Sequence, residues 1–116
     1  MTFIEGAVTG PANESRVVEF LVDSGAAYSL LPEADWKAIG LTPRRKMTFT
    51  LADGTHIVRR ISECLFNVAG EEAHSPVVLG EPGDNQALLG AATLETIGLV
   101  LDPFKRELRP MQARLA

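Results

Sequence analysis

One aspartate is the best-placed reactive group in this chain. The stretch Phe20-Leu21-Val22-Asp23-Ser24-Gly25-Ala26-Ala27-Tyr28-Ser29-Leu30-Leu31 closes an apolar run on a carboxylate, adds a hydroxyl and a glycine, and turns apolar again. Short apolar runs with β-branched members read as buried strands. Gly25 offers the backbone freedom for a sharp turn between them. Asp23 is therefore expected at the mouth of a tight loop between two strands that favour burial. A lone carboxylate in such a place is costly without partners, so its presence points to use. The other candidates offer less chemistry. Ser24 has no histidine and carboxylate arranged to make it a nucleophile. His56 and His74 lie outside any metal-ligand spacing and are expected on strand surfaces. Cys64, the only cysteine, cannot form an internal disulfide and has apolar neighbours, which mark it as a buried structural thiol.

Asp23 must be held by the elements around it. Thr2 to Val8 and Arg16 to Val22 read as strands joined by the turn-rich Gly10-Pro11-Ala12-Asn13-Glu14-Ser15, a hairpin that delivers the chain to Asp23. Tyr28 to Leu31 reads as a short strand. Pro32 then opens a short helix, Glu33 to Ile39, with acidic residues in its first turn and Gly40 as its stop. Trp36 and Ile39 share a face of that helix and should pack inward. Met47 to Ile61 is the clearest hairpin, with Asp53-Gly54 as a two-residue type I′ turn. That loop length sets Leu51 opposite His56, Phe49 opposite Val58 and Met47 opposite Arg60. The cluster Arg44-Arg45-Lys46 with Arg59-Arg60 then reads as a solvated face on the hairpin stem.

Ser62 to Val68 continues as strand, and His74 to Leu79 returns after a turn at Ala69 to Glu72. Ala87-Leu88-Leu89-Gly90 is a further buried strand, followed by a helix over Ala91 to Ile97 that stops at Gly98. Leu99 to Leu101 and Glu107 to Met111 read as closing strands. Many short strands and two short helices predict an all-β fold, a small closed barrel-like domain over residues 1–116. The two parts echo one another. Gly25-Ala26-Ala27 leads through a helix to Ile39-Gly40-Leu41, and Gly90-Ala91-Ala92 leads through a helix to Ile97-Gly98-Leu99.

The bulk numbers narrow the classes. At 116 residues the chain suits one domain with one modest core. A net charge of −4 argues against a dedicated nucleic-acid binder. No apolar run approaches the length of a membrane span. No signal peptide is visible at Met1-Thr2-Phe3-Ile4-Glu5-Gly6, and the compartment expected is cytoplasmic.

Three of these features, in order, resemble the retropepsin-like aspartic proteases, small single-motif relatives of pepsin. Asp23-Ser24-Gly25-Ala26 is similar to the family's Asp-Thr/Ser-Gly-Ala motif. Leu88-Leu89-Gly90 is similar to its apolar-apolar-Gly segment. The hairpin tipped by Asp53-Gly54 is similar to its substrate-covering flap. The resemblance covers roughly residues 3 to 111 and favours prokaryotic-type members. It implies Asp23 as the catalytic residue that activates water, with Ser24 and Gly25 bracing and orienting it. It also implies contact of Ala26, Ala27, Leu51, Ala52, Asp53, Gly54, Thr55 and Leu89 with a peptide or unfolded protein substrate. No metal and no organic cofactor is implied. Viral members carry an Asp at the position of Ala27 and an Arg at that of Ala91. Losing both leaves no unpaired buried charge.

The family's reaction requires two carboxylates, one ionised to take a proton from water and one protonated to polarise the scissile carbonyl. An isolated Asp has a pKa of about 3.9 and is ionised at neutral pH. Two carboxylates in contact share one proton instead. With a single Asp-Ser-Gly, the resemblance implies a homodimer pairing Asp23 with Asp23 of a second copy. The expected activity is therefore aspartic endopeptidase. Two alternatives stand beside it: a dimeric peptide-binding module without turnover, and a monomeric all-β domain in which Asp23 only caps a turn.

Overall fold

The structure, a computed structural model, describes residues 1–112 and residue 115. Strand β1 (Phe3–Thr9) and β2 (Ser15–Val22) form the opening hairpin, in register from Phe3 opposite Leu21 to Thr9 opposite Ser15. Alternation decides which way β2 faces: Val18, Phe20 and Val22 are buried while Val17 and Glu19 are exposed. After the Asp23 loop come β3 (Ser29–Leu31) and α1 (Glu33–Ala38). Trp36 is buried from α1, and its indole N–H donates to the Gly80 carbonyl at 2.9 Å. A buried tryptophan needs such a partner.

Strands β4 (Arg45–Thr50), β5 (His56–Val68) and β6 (Glu71–Leu79) form a meander, and β7 (Ala87–Leu89) leads into α2 (Ala91–Ile97). The sheet order is β1-β2-β7-β3-β6-β5-β4, and β1 also pairs with β5. That extra pairing closes six strands into the barrel expected and leaves β4 outside it. Val8, Phe20, Leu31, Ile39, Phe66, Val77, Leu79 and Leu89 fill its interior, with the Phe20 and Phe66 rings 5.9 Å apart. Cys64 is buried here as expected, and desolvation, with a smaller push from the Glu63 carboxylate, drives its thiol up to about 12. The last strands, β8 (Leu99–Asp102) and β9 (Glu107–Pro110), make a separate two-stranded sheet. The helix stops of the internal echo match, since Gly40 and Gly98 have φ of 72° and 74°.

The β4–β5 hairpin departs from expectation by one residue. Thr50 pairs with His56, Phe49 with Ile57, Thr48 with Val58 and Met47 with Arg59. The loop has three residues, not two: the Leu51 N–H donates to the Thr55 carbonyl at 2.8 Å, and the Gly54 N–H to the Leu51 carbonyl at 2.9 Å. Gly54, at φ 85°, holds the left-handed position that a three-residue loop requires. A slip of one residue turns every side chain to the other face. Phe49 and Ile57 now share the partly buried face and Val58 is exposed. The basic cluster is also split. Arg59 is only 22% exposed and faces Glu81 and Asp84, while Arg60 lies over the Trp36 ring at 5.5 Å.

Candidate active site

Asp23 directly follows β2, where the chain leaves the sheet. Its N–H donates to the Leu89 carbonyl at 3.0 Å, and its own carbonyl accepts from the Ala26 N–H at 3.1 Å. The side chain is exposed, not buried as the apolar flanks suggested, and its Oδ1 accepts from the Gly25 N–H at 3.1 Å. The cost of burial is avoided in the single chain by opening the loop to water. Gly25 serves a different purpose from the one its type suggested. Its φ is not among the left-handed ones, and a Cβ added there would lie 3.3 Å from Asp23 Oδ1, with no other atom within 4 Å beyond its two chain neighbours. The missing side chain keeps the flank of the carboxylate open.

The second glycine loop holds the first. The Ala91 N–H donates to the Ala26 carbonyl at 2.8 Å and the Ala92 N–H to the Ala27 carbonyl at 3.0 Å. These are first-turn donors of α2, which has no side-chain cap, so the Asp23 loop supplies the acceptors that the helix start lacks. Approach this close needs a glycine at 90. A Cβ there would sit 2.4 Å from the Tyr28 carbonyl carbon.

A cavity of about 400 Å³ opens between the Asp23 loop and the hairpin. Gly25, Ala26 and Ala27 line one side, Phe49, Leu51 and Ile57 the other, and Leu30, Val78 and Leu88 the base. The Tyr28 and Phe49 rings meet edge-on at 5.9 Å and join loop to hairpin. At one end the Arg59 guanidinium lies 3.6 Å from Glu81 and 3.8 Å from Asp84. An apolar cleft with few polar groups at its rim suits an extended peptide with apolar side chains. A second cavity of about 420 Å³, near Gly10, Cys64 and His74, shares no residue with the Asp23 loop or the hairpin tip.

The residues expected from the sequence divide accordingly. Gly25, Ala26, Ala27 and Leu51 meet at the cleft, with Asp23 and Ser24 exposed beside them in the same loop. Ala52, Asp53, Gly54 and Thr55 are exposed at the hairpin tip and do not line the cavity. There Asp53 Oδ1 accepts from both the N–H and the hydroxyl of Thr55, at 2.9 and 2.6 Å. Those bonds hold its carboxyl below the usual range, the hydroxyl contributing most. Leu89 does not face the cleft. It is fully buried, and its neighbour Leu88 takes the place expected of it, as alternation along β7 requires. Tyr28, Phe49, Ile57 and Arg59 were missed. A three-residue reading of Ala52-Asp53-Gly54 would have found the last three. Both histidines are exposed on strands, and among the described residues no group of three or more His, Cys, Asp or Glu could hold a metal.

The family described as "gag-polyprotein putative aspartyl protease" matches residues 8–96, a span holding both glycine loops and the hairpin. The chain belongs to that family. Its fold is the retropepsin-like aspartic protease fold. The protease of simian foamy virus (mac) superposes with a TM-score of 0.57 at 20% identity, over 81% of this chain and 92% of that one. The retroviral protease-like domain of Ddi1 from Leishmania major gives 0.55 at 17% identity, over 95% and 89%. Lpg0085 of Legionella pneumophila, a protein of unknown function, gives 0.56 at 14% identity, over 89% and 91%. No curated protein sequence matches the chain.

Proposed function

We propose that this chain is one half of an aspartic endopeptidase, completed by a second copy that brings its own Asp23. One observation carries the reading: Asp23 is presented bare at the edge of an apolar cleft, with Oδ1 oriented by the Gly25 N–H and, among the described residues, no second carboxylate bonded to it. A single carboxylate fills only one of the two roles the reaction needs. Opposed to its copy, it shares a proton, so one carboxylate takes a proton from water while the other donates to the scissile carbonyl. Ser24, exposed beside Asp23, bonds across the two-fold axis in this reading and braces the two loops. A peptide strand enters between the loop and the hairpin, held by main-chain hydrogen bonds and by its apolar side chains.

The β8–β9 sheet supports a second chain as partner. Its Leu99, Leu101 and Leu108 pack on the barrel core, while its edges stay open to pair with a further strand. It has no third strand among the described residues, and it displays Val100 and, 96% exposed, Phe104. The test pairs wild type with Asp23→Asn on an unfolded protein substrate between about pH 4 and 7, with mass measured by light scattering. Wild type should cleave and dimerise. Asp23→Asn should dimerise and not cleave. Cleavage that survives Asp23→Asn sinks the proposal, and a wild-type dimer that cleaves nothing is the peptide-binding module instead.

A further inference from the structure

We infer that Ser29, Thr93 and Ser75 are positioning residues for the Asp23 loop, acting through a single hydrogen-bonded chain that ends on the Asp23 amide. The role rests on the peptidase reading above, but the chain itself can be tested apart from it. All three hydroxyls are buried, on β3, α2 and β6. Ser29 Oγ and Thr93 Oγ1 are 2.6 Å apart, and Thr93 Oγ1 and Ser75 Oγ are 2.8 Å apart. The Gly90 N–H donates to Ser29 Oγ at 3.0 Å, and Ser75 Oγ donates to the Pro76 carbonyl at 3.3 Å.

Each hydroxyl has one hydrogen, so the direction is determined. Run from Ser75 towards Ser29, the chain would leave the Ser29 hydrogen without an acceptor, because Gly90 is a donor. Run from Ser29 to Thr93 to Ser75 to the Pro76 carbonyl, every hydrogen is used. A buried hydroxyl left unpaired is disfavoured, which selects the second direction.

The chain does not stop at Gly90. The peptide group that offers the Gly90 N–H also offers the Leu89 carbonyl, and that carbonyl accepts from the Asp23 N–H at 3.0 Å. The sequence Asp23 N–H, Leu89–Gly90 peptide, Ser29, Thr93, Ser75, Pro76 carbonyl is therefore head to tail throughout. In a low-dielectric interior each bond of such a chain polarises the next. The hydroxyls strengthen the Leu89 carbonyl as an acceptor and so fix the backbone from which the carboxylate projects. No charged group takes part. The brace lies within two residues of Ala27 and of Ala91 in the sequence, and it leaves both free of any need for a charged pair.

The test compares Thr93→Val, which removes the hydroxyl and keeps the shape, with Thr93→Ser, which keeps the hydroxyl and removes a methyl. Thr96→Val, on the exposed side of the same helix, is the control. In Thr93→Val the Asp23 amide should exchange with solvent about tenfold faster, and kcat should fall about tenfold with KM within about twofold, the scale of one weakened hydrogen bond. Thr93→Ser should restore both, and Thr96→Val should move neither. A packing role predicts the reverse order, with Thr93→Ser the worse variant, and that result overturns the inference. So does an Asp23 amide unmoved by Thr93→Val. Should Thr93→Val not fold, Ser75→Ala decides by the same amide, with a smaller shift of the same sign expected. Failure of wild type to cleave any substrate would remove the peptidase reading, while the amide comparison would still decide whether the chain exists.

Discussion

Two glycine loops lie against each other in this barrel, and they are built for different purposes. β2 delivers Asp23-Ser24-Gly25 to solvent, whereas β7 delivers Gly90 into the interior, against the Tyr28 carbonyl. The exposed loop makes few side-chain contacts. It is held through its backbone, by Leu89 at one end and by Ala91 and Ala92 at the other. The buried loop carries the packing: Leu89 and Gly90 are buried, and the hydroxyls of Ser29, Thr93 and Ser75 sit behind them. The internal echo in the sequence is thus a division of labour. One copy of the pattern presents a reactive group, and the other fixes its position.

The largest test of that division exchanges the same atoms at the two glycines. Gly90→Ala drives a methyl to 2.4 Å from a backbone carbon that cannot yield, whereas Gly25→Ala meets only one carboxylate oxygen at 3.3 Å. Gly90→Ala should cost roughly 3 kcal/mol or more and lower Tm by about 10 °C or more. Gly25→Ala should stay within about 1 kcal/mol of wild type yet lose about tenfold or more in kcat, because the methyl crowds the carboxylate. Thermal melts with peptidase assays on both variants check this. Equal melts for the two would break the comparison.

A smaller effect comes from the seam where the loops meet. Ala27 and Ala91 stand where viral relatives carry an Asp and an Arg, and the backbones here are joined by the Ala26–Ala91 and Ala27–Ala92 hydrogen bonds. Ala27→Asp alone and Ala91→Arg alone should each destabilise slightly. Together they should show a favourable coupling of about 0.5–1 kcal/mol, since Ala27 is exposed and Ala91 only half-buried. Denaturant melts of the four-member cycle measure it. Coupling of zero would mean that the two introduced side chains do not meet across the seam.

Much of this arrangement was legible in the sequence, and the gaps have physical causes. Asp23-Ser24-Gly25, Leu88-Leu89-Gly90 and the hairpin are local patterns, and local patterns set turns and strands. The hairpin register was misread because Asp53-Gly54 also suits a two-residue turn. Asp53 instead bonds Thr55, which makes a three-residue loop and turns Phe49 and Ile57 into the cleft. The side-chain bonds of Ser29 and Ser75 to Thr93 span 64 and 18 residues, and nothing near any one of them signals the others. Arg59 looked like part of a basic run. Only the fold brings Glu81 and Asp84 to it.

The smallest effect contrasts the hairpin tip with the buried loop under acid. The bonds from Thr55 hold the Asp53 carboxyl below its ordinary 3.8, so the folded tip favours the ionised form. A carboxyl lowered on folding lends its stability above its unfolded pKa and loses it as pH falls through the lower folded value. Acid should therefore loosen the tip and leave the second glycine loop untouched, since Ser29, Thr93 and Ser75 have no group that titrates there. Amide exchange read residue by residue, corrected for intrinsic rates, should show the Thr55 protection falling below about pH 3.8 while that of Gly90 stays level. Asp53→Asn should flatten the Thr55 profile. On the proposed reading, in which the tip closes over bound peptide, the same variant should raise KM for peptide by about twofold and leave kcat within error. A fall in kcat as large as that of Gly25→Ala would instead make the tip part of the reacting centre.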